Sequence, residues 1–279
     1  MSRAEQVAEL LRKVGKERLM RLEELADPQF EALQRLAMVR GEGVAAVYAV
    51  LVSLVSYRLT MRGEEWWSCL AEFASRGRES SVSGIAREVE EFLRSCKGAA
   101  LSREAKIERV RRAASGARPQ LERLLRDPSA LYESPGELVR ALSAALGAES
   151  WRKTLVFTVK MAYYATRKRG ENRVVDYELP LPVDSRVACA TYSSELVAAR
   201  SFREIMSKPR PAQQAWLEVS RRAGIPSVNL DTLLWLTGWA PRDLEIHRAH
   251  EEVARILSAV MGYPEALQIA RGLYLRSCL

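Results

Sequence analysis

Apolar residues recur at helical spacing along almost all 279 residues, and this pattern limits the possible folds more than any other feature. Strong helix formers fill most segments, while the apolar–polar alternation typical of strands is scarce. The sequence therefore predicts an all-α fold. The predicted helices cover residues 3–16, 17–25, 29–40, 43–58, 64–76, 80–96, 102–113, 119–126, 134–146, 151–168, 185–199, 210–223, 228–239, 243–261 and 263–275.

One sustained stretch departs from the helical pattern, Arg169 to Val183, with the sequence RGENRVVDYELPLPV. Pro180 and Pro182 force the residues that precede them into extended backbone. The helical pattern resumes directly after Asp184, so this aspartate stands where the N-cap of a helix belongs. We therefore expect an extended connection that ends at a capped helix.

Composition narrows the class of protein. Hydrophobic residues make up 48% of the chain, which indicates an ordered globular protein. The net charge of +8 makes a polyanion, either nucleic acid or a membrane surface, a candidate partner. Basic proteins without such a partner are also common, so charge does not identify one.

The cysteines and the apolar runs indicate the cellular compartment of the protein. Cys69, Cys96, Cys189 and Cys278 are scattered and form no C-x2-C pair, which argues against zinc and against a four-cysteine iron–sulfur loop. The most apolar run, Val44 to Tyr57, is too short to cross a bilayer, and the N-terminal residues lack the apolar core of a secretory signal. We therefore expect an intracellular protein with reduced thiols and no membrane association.

Three other charged groups have ordinary explanations. His247, His250 and Glu251 lie close enough in sequence for a metal site, but no complete ligand set is evident, and we expect a solvated helix without metal. The basic runs at 103–112 and 167–173 are typical of solvated faces. The second run follows the helix predicted at 151–168, and it would be well placed to meet phosphates.

The stretch WRKTLVFTVKMAYY, residues 151–164, predicts an apolar helix that nevertheless carries two lysines. At about 100° per residue, Lys153, Phe157, Lys160 and Tyr164 share one stripe of this helix. Considered by itself, the stripe is explained by lysines that extend to water along a solvated edge. The segments on either side of the helix suggest another explanation.

A helical hairpin is predicted directly before this helix. Residues 137–150, ELVRALSAALGAES, predict a helix and a short turn at Gly147, which makes a candidate helix–hairpin–helix. Such a unit offers backbone N–H groups to a DNA phosphate, although many helical hairpins have a glycine turn, and this one lacks a second glycine. Lys153 begins the second helix of the hairpin, and Asp184 follows 31 residues later at a helix N-terminus.

Several motifs in order resemble the helix–hairpin–helix DNA glycosylase superfamily and, within it, the archaeal 8-oxoguanine DNA glycosylases called AGOG. The motifs are DPQF at 27–30, SYRLTMRGEEWW at 56–67, KTLVFTVKMAYY at 153–164, GENRV at 170–174, LPLPVDSRVA at 179–188 and LDTLLWLTG at 230–238. The resemblance extends to about residue 240, and residues 240–279 remain unmatched. It implies an all-α fold of two lobes with the active site between them. The lobes would be residues 42–150, and residues 1–41 with 185–279, with the hairpin and catalytic helix at 135–168.

The resemblance also implies roles for particular residues. The positions that match the catalytic pair are Lys153 and Asp184. The positions that match the oxidised-guanine pocket are Gln29, Ser56, Trp67, Phe157, Lys160, Pro180, Asp231 and Trp235. Of these we expect Phe157 and Trp235 to stack on the flipped base, and the polar contacts to come from Gln29, Ser56, Trp67 and Asp231. The residues expected at the DNA backbone are Gly147, Arg167 and Lys168.

The chemistry that the resemblance implies needs these residue types. A lysine amine can attack C1′ of a flipped nucleotide and hold the sugar as a Schiff base, which permits β-elimination of the 3′ phosphate. A carboxylate at a helix N-terminus can stabilise the positive charge that develops on the sugar. The expected protein is a bifunctional DNA glycosylase and AP lyase of base excision repair, a monomer that acts on DNA containing 8-oxoguanine and needs no cofactor.

Simpler explanations exist for single residues. Ser56, inside an apolar helix, would normally bond the carbonyl four residues back. Asp231 and Trp235, one turn apart, fit an N-terminal aspartate and a core tryptophan, and Asp184 could be only a cap. Two other functions also remain open, a non-catalytic helix–hairpin–helix DNA-binding protein and a sibling glycosylase for another damaged base. A binding protein would need neither Lys153 nor Asp184.

Overall fold

The computed structural model describes residues 1–175 and 178–279, and all regular secondary structure there is helical, which confirms the predicted all-α class. Lys97–Ala99 forms a single 3-10 turn. The helices are α1 (Arg3–Val14), α2 (Lys16–Ala26), α3 (Pro28–Arg40), α4 (Glu42–Ser53), α5 (Gly63–Ser75), α6 (Val82–Ser95), α7 (Arg103–Gly116), α8 (Arg118–Arg126), α9 (Ala130–Glu133), α10 (Pro135–Leu146), α11 (Lys153–Thr166), α12 (Ser185–Ser193), α13 (Phe202–Ser207), α14 (Arg210–Ala223), α15 (Ser227–Thr237), α16 (Ala240–Asp243), α17 (Ile246–Leu257) and α18 (Tyr263–Leu273).

The structure has no regular secondary structure in the described residues of the stretch predicted to be non-helical. Residues 171–175 and 178–184 form neither helix nor strand, and residues 176 and 177 of the stretch lie outside the described part of the chain. The carbonyl of Leu181 accepts a hydrogen bond from the Gln213 side chain at 3.0 Å, which ties the segment to α14. The stretch therefore leads, as predicted, to the N-terminus of a helix.

Contacts divide the chain into two compact units. We call Pro28–Asp176 the internal unit, and Met1–Asp27 with Tyr177–Leu279 the terminal unit. The lobe predicted from residues 1–41 with 185–279 would include α3, but the structure places α3 in the internal unit. The reason is that α3 packs against α4, α5 and α11 and buries Phe30, Leu33 and Leu36.

The most apolar helix, α4, forms the centre of the internal unit. Residues 45–52 of α4 are fully buried, and the helix packs most extensively against α11. Gly43 permits a close approach to α8, because a Cβ there would lie 2.1 Å from the Leu125 carbonyl oxygen. The helix ends at Ser53 rather than at the predicted residue 58, and Arg58 has a φ of 47° that helical backbone excludes.

None of the helices in the described ranges combines the length and the apolar character that a transmembrane span requires. The apolar residues of α4 are explained instead by their burial inside the internal unit. The helix predicted over residues 43–58 is therefore confirmed over residues 43–53.

Polar contacts join distant segments of the terminal unit. The Arg3 guanidinium donates to the carbonyls of Gly272 and Leu273 at 2.8 and 3.0 Å, which fixes α1 to the end of α18. The fully buried Glu23 accepts hydrogen bonds from Asn229 at 2.9 Å and from Thr232 at 3.1 Å. These last two bonds hold α15 against α2, because a buried carboxylate needs donors to offset its loss of water.

Two of the four cysteines form a disulfide, Cys189 to Cys278, which corrects the expectation that all thiols are reduced. Cys69 and Cys96 are not bonded to another cysteine. The pair was not evident from spacing because its members are 89 residues apart in sequence. The fold brings them together, since the backbone N–H of Leu275 donates to the Ser193 carbonyl at 2.8 Å and places the tail beside the end of α12.

We expect Cys278→Ser to lower the free energy of unfolding by up to about 4 kcal/mol, because a cross-link over a loop of this length restricts the unfolded chain. Denaturant unfolding with and without reductant measures the change. Cys69→Ser is the matched control, because Cys69 lies outside the disulfide. Reductant should shift the wild-type curve and leave that of Cys278→Ser in place, and an unshifted wild-type curve would contradict a stabilising role.

Candidate functional site

The predicted helical hairpin is present in the internal unit and consists of α10, a short turn and α11. Gly147 ends α10 with a φ of 58°, a left-handed conformation that glycine adopts without steric cost. The backbone N–H of Ala148 donates to the Ser143 carbonyl at 3.1 Å and closes the turn. The exposed turn thus leads directly into the first residue of α11, Lys153.

Lys153 has an exposed side chain at the start of α11. No carboxylate of the described residues lies within ion-pair distance of its amine. The neighbouring Thr154 is fixed in place, since its hydroxyl oxygen accepts a hydrogen bond from the Arg109 guanidinium at 3.1 Å. The amine of Lys153 is therefore accessible to a ligand, while the side chain of the next residue is tied to α7.

The lysine stripe of α11 does not follow a solvated edge. Lys160 is only 2% exposed, and its Nζ lies 5.4 Å from the centroid of the Tyr164 ring. Phe157 is half-buried and meets Trp67 edge-on, with ring centroids 6.1 Å apart. The simple explanation by lysines that extend to water therefore holds for Lys153 and fails for Lys160.

Adjacent tryptophans on α5 have different partners. The indole N–H of Trp66 donates to the Ser56 hydroxyl at 2.9 Å, and that hydroxyl donates to the Val52 carbonyl at 2.8 Å. Ser56 thus makes the local bond expected of a serine in an apolar helix, and one lone pair of its oxygen remains for another donor. Trp67 is 1% exposed, and its indole N–H donates to no acceptor among residues 1–175 or 178–279.

Gln29, another predicted pocket residue, belongs to the same unit. It is buried in the first turn of α3, next to Phe30, whose ring meets Tyr164 edge-on at 5.2 Å. Tyr164 in turn carries the Lys160 ammonium on its face. Ring contacts therefore link the predicted pocket residues of the internal unit in two groups, Trp67 with Phe157, and Lys160 with the neighbourhood of Gln29.

In the terminal unit, Asp184 is the N-cap of α12, as predicted. Its Oδ1 accepts hydrogen bonds from the backbone N–H groups of Arg186 and Val187, both at 2.9 Å. Its Oδ2 accepts no hydrogen bond from the described residues, and the side chain is half-buried. One carboxylate oxygen fixes the side chain, and the second is available to a ligand.

Arg186 contacts Trp235, one of the predicted pocket residues, and was not itself among the predicted positions. Its guanidinium lies 4.1 Å from the centroid of the Trp235 ring and donates to the Trp235 carbonyl at 3.3 Å. Gly238 permits the close approach of α15 to α12, because a Cβ there would lie 2.5 Å from the Arg186 carbonyl oxygen. An arginine in the first turn of a helix carries no sequence signal for this role.

This contact limits how Trp235 can act. The ring is half-buried, and Arg186 covers one of its faces, so a base can stack only on the other. Asp231, one helical turn earlier on α15, is buried. Pro180 is half-buried in the extended segment before Asp184. These predicted residues of the terminal unit therefore lie on, or lead into, helices that Arg186 holds together.

The residues predicted at the DNA backbone occupy different environments. Lys168 is exposed and forms an ion pair with Glu42 at 3.6 Å. Arg167 is only 1% exposed, with its guanidinium 4.8 Å from the Phe30 ring centroid and 5.4 Å from that of Tyr163. The burial of Arg167 argues against the predicted phosphate contact and assigns this residue to packing within the internal unit.

His250, one of the residues considered for a metal site, has a packing role in the structure. A ring nitrogen of His250 lies 2.7 Å from the Tyr274 carbonyl oxygen, which joins α17 to the residue after α18. Burial raises the pKa of the Tyr274 hydroxyl, which bonds to Thr237. Both contacts belong to the packing of the terminal unit.

Residues 8–271 match a protein family described as AGOG, N-glycosylase/DNA lyase. The N-glycosylase/DNA lyase of Aeropyrum pernix is 47% identical over 278 residues, which cover 99% of this chain and 96% of the relative. That of Pyrobaculum aerophilum is 35% identical over 240 residues, with 86% and 87% covered. The family match includes most of the tail after residue 240, which the sequence motifs had left unmatched.

A solved structure is similar over nearly the same length. It is the crystal structure of the 8-oxoguanine DNA glycosylase AGOG from Pyrobaculum aerophilum in complex with 8-oxoguanosine. The TM-score is 0.75 and the sequence identity 30%, with 97% of this chain and 96% of that chain covered. The similarity in structure thus extends over both units of the chain.

Proposed function

The chain belongs to the AGOG family of N-glycosylase/DNA lyases, and on that basis we propose that it excises 8-oxoguanine from DNA and then cleaves the strand. The observation that carries the proposal is the position of Lys153, whose exposed amine begins α11 directly after the hairpin turn. A hairpin that anchors a DNA phosphate would hold the strand beside this amine.

Lys153 is assigned the role of nucleophile. Its Nζ attacks C1′ of the flipped nucleotide, the glycosidic bond to N9 breaks, and the base leaves with a proton. The sugar ring then opens and remains bound to the lysine as a Schiff base. Loss of a proton from C2′ breaks the C3′–O bond and releases the 3′ phosphate, which is the lyase step.

Asp184 is assigned the stabilisation of the positive charge that develops on the sugar. The two backbone N–H bonds to Oδ1 hold the carboxylate in one orientation, and Oδ2 is left for this task. A charge that is fixed before the reaction begins stabilises the transition state without reorganisation. The cap and the catalytic role are therefore compatible in one side chain.

The remaining site residues are assigned to base recognition. 8-Oxoguanine differs from guanine by a proton at N7 and an oxygen at C8, so a selective site needs an acceptor and a donor that guanine would leave unpaired. We assign these to the Gln29 carbonyl and the Trp67 indole N–H. Phe157 and Trp235 provide aromatic faces for the base. The other assigned lining residues are Ser56, Lys160, Pro180 and Asp231.

The experiment that tests the proposed function compares duplexes that differ in one base. A duplex with a single 8-oxoguanine should lose that base and then be cleaved at the same position, while the guanine duplex stays intact. Other damaged bases in the same position test for a sibling activity. Binding to both duplexes without excision would identify a DNA-binding protein that lacks the chemistry.

We expect Phe157→Ala to weaken the binding of damaged DNA, or to slow excision, by about 1–3 kcal/mol, the free energy of one lost base stack. Truncation of a fully buried phenylalanine lowers the free energy of unfolding by about 3–5 kcal/mol, and this half-buried ring should cost less. The affinities for the 8-oxoguanine duplex and the undamaged duplex are therefore measured at a temperature at which the variant is folded. Phe73→Ala is the matched control, a half-buried ring of the same unit that packs on Phe92. An equal loss for both duplexes would assign Phe157 to the core.

A further inference from the structure

Three arginines beside the start of α11 have no role in the function proposed above. Arg109 and Arg112 belong to α7, and Arg152 immediately precedes Lys153. We call them the hairpin arginines, because contacts or chain position connect each of them to the hairpin. Arg112 donates to the carbonyl of Ala145, near the end of α10, at 3.2 Å.

Arg109 connects α7 to the second helix of the hairpin. Its guanidinium donates to Thr154, the residue after Lys153, at 3.1 Å. Its Nε is buried and has no hydrogen-bond partner among the described residues. The side chain is half-buried, so one of its N–H groups is oriented by the protein while others remain unused.

The hairpin arginines are not neutralised by the residues that the structure describes. Within residues 1–175 and 178–279, no carboxylate lies within ion-pair distance of any of the three. Arg111, on the same helix, differs from them, because it donates to both carboxylate oxygens of Glu90 at 2.9 and 2.7 Å. Arg111 of α7 is thus neutralised by an ion pair with Glu90, whereas Arg109 and Arg112 of the same helix have no carboxylate partner among the described residues.

The positive charges also act on one another. Burial is the main cause of the lowered pKa of Arg109; the nearby Tyr57 opposes this shift, and the charges of Arg112 and Arg152 add to it. Lys106, one turn before Arg109, is fully buried with its amine over the Tyr57 ring at 5.3 Å and with no hydrogen-bond partner in the described ranges. Such an accumulation of like charge raises the free energy of the unbound protein, and a bound anion would offset it.

We propose that the hairpin arginines bind a backbone phosphate of the DNA strand, next to the nucleotide from which Lys153 removes the base. The proposal rests on the proposed function for the identity of the anion. The guanidinium groups fit a phosphate because their planar N–H forks match its oxygens. The link from Arg109 to Thr154 would place that phosphate beside the attacked sugar.

Arg109→Ala tests the proposal through the salt dependence of binding. The probes are an undamaged duplex and the same duplex with a tetrahydrofuran abasic analogue, which the protein does not cleave at C1′. We expect the slope of log K against log salt to fall by about one unit and the affinity at 0.1 M salt to fall about three- to tenfold, equally for both duplexes. Arg111→Ala is the matched control on the same helix and should change neither value.

Two further variants separate binding from folding. Arg112→Ala removes an exposed side chain and should reduce the slope without unfolding the protein. Thr154→Val removes the hydrogen bond to Arg109 but keeps the charge, so the slope should persist. A wild-type slope in both alanine variants, or an equal fall in Arg111→Ala, would overturn phosphate binding. Loss of excision in these variants with all slopes unchanged would also overturn phosphate binding, whereas wild-type protein that shows the expected slopes but excises no 8-oxoguanine would contradict the proposed function and leave this site in place.

Discussion

Lys153→Gln is expected to abolish the covalent protein–DNA complex that borohydride traps with wild-type protein on a duplex carrying one 8-oxoguanine. Glutamine has no amine that could form the Schiff base that borohydride reduces. Because Lys153 is exposed at the first position of α11, its replacement should leave the fold intact. The measurement is the fraction of DNA that shifts with the protein under denaturing electrophoresis.

Lys97→Gln is the matched control for this experiment, since Lys97 is an exposed lysine of the same unit outside the site. Its trapping should equal that of the wild type. Trapping that persists in Lys153→Gln would place the nucleophile elsewhere. Lys160 would then be tested first, although its burial makes it a poor candidate in the described conformation.

Asp184→Asn should slow single-turnover excision by orders of magnitude while the melting temperature changes little. Asparagine keeps a side-chain oxygen that can accept from the backbone N–H groups of Arg186 and Val187, so the cap on α12 persists. The substitution removes the negative charge that we assign to stabilisation of the sugar cation, the largest type of contribution in many enzymes. Rapid-quench excision and thermal unfolding are measured on the same preparation.

Asp127→Asn provides the comparison for Asp184→Asn. Asp127 is exposed in the internal unit and accepts, through Oδ1, from the backbone N–H of Ser129 at 3.0 Å and from its hydroxyl at 2.6 Å. This variant should alter neither excision nor melting by much. If Asp184→Asn instead lowers activity and stability together and only modestly, Asp184 is a structural cap.

The helices that the sequence predicted best are long and have a clear apolar face, such as α6 and α14. The short helices α9, α13 and α16 were missed because four to six residues contain too little periodicity to distinguish a helix from a turn. The early end of α4 was missed for another reason, since the apolar residues continue past it although the backbone turns at Arg58. The apolar residues at 54 and 55 indicate that this segment is buried, but they do not indicate the backbone conformation that ends the helix.

The candidate site was predictable where one residue has one local role. Asp184 as an N-cap and Gly147 as a helix end follow from the chain around them. The contact between Arg186 and Trp235 joins residues that are 49 positions apart, and the burial of Arg167 depends on α3. Such contacts arise from tertiary packing between distant segments, and the local sequence around each residue therefore does not predict them.

The terminal unit is built from both ends of the chain, which fixes an order of folding during synthesis. Its core combines residues 1–27 with residues after 177, and Arg3 bonds to the carbonyls that end α18. The ribosome must therefore complete α14 and then α18 before α1 acquires both of these partners, whereas the internal unit is a single continuous segment that emerges earlier. The helix that begins at Lys153 is thus available to fold first, and the helix that Asp184 caps is completed later. Nascent chains stopped before α12 should already protect α11 from protease while α1 remains susceptible.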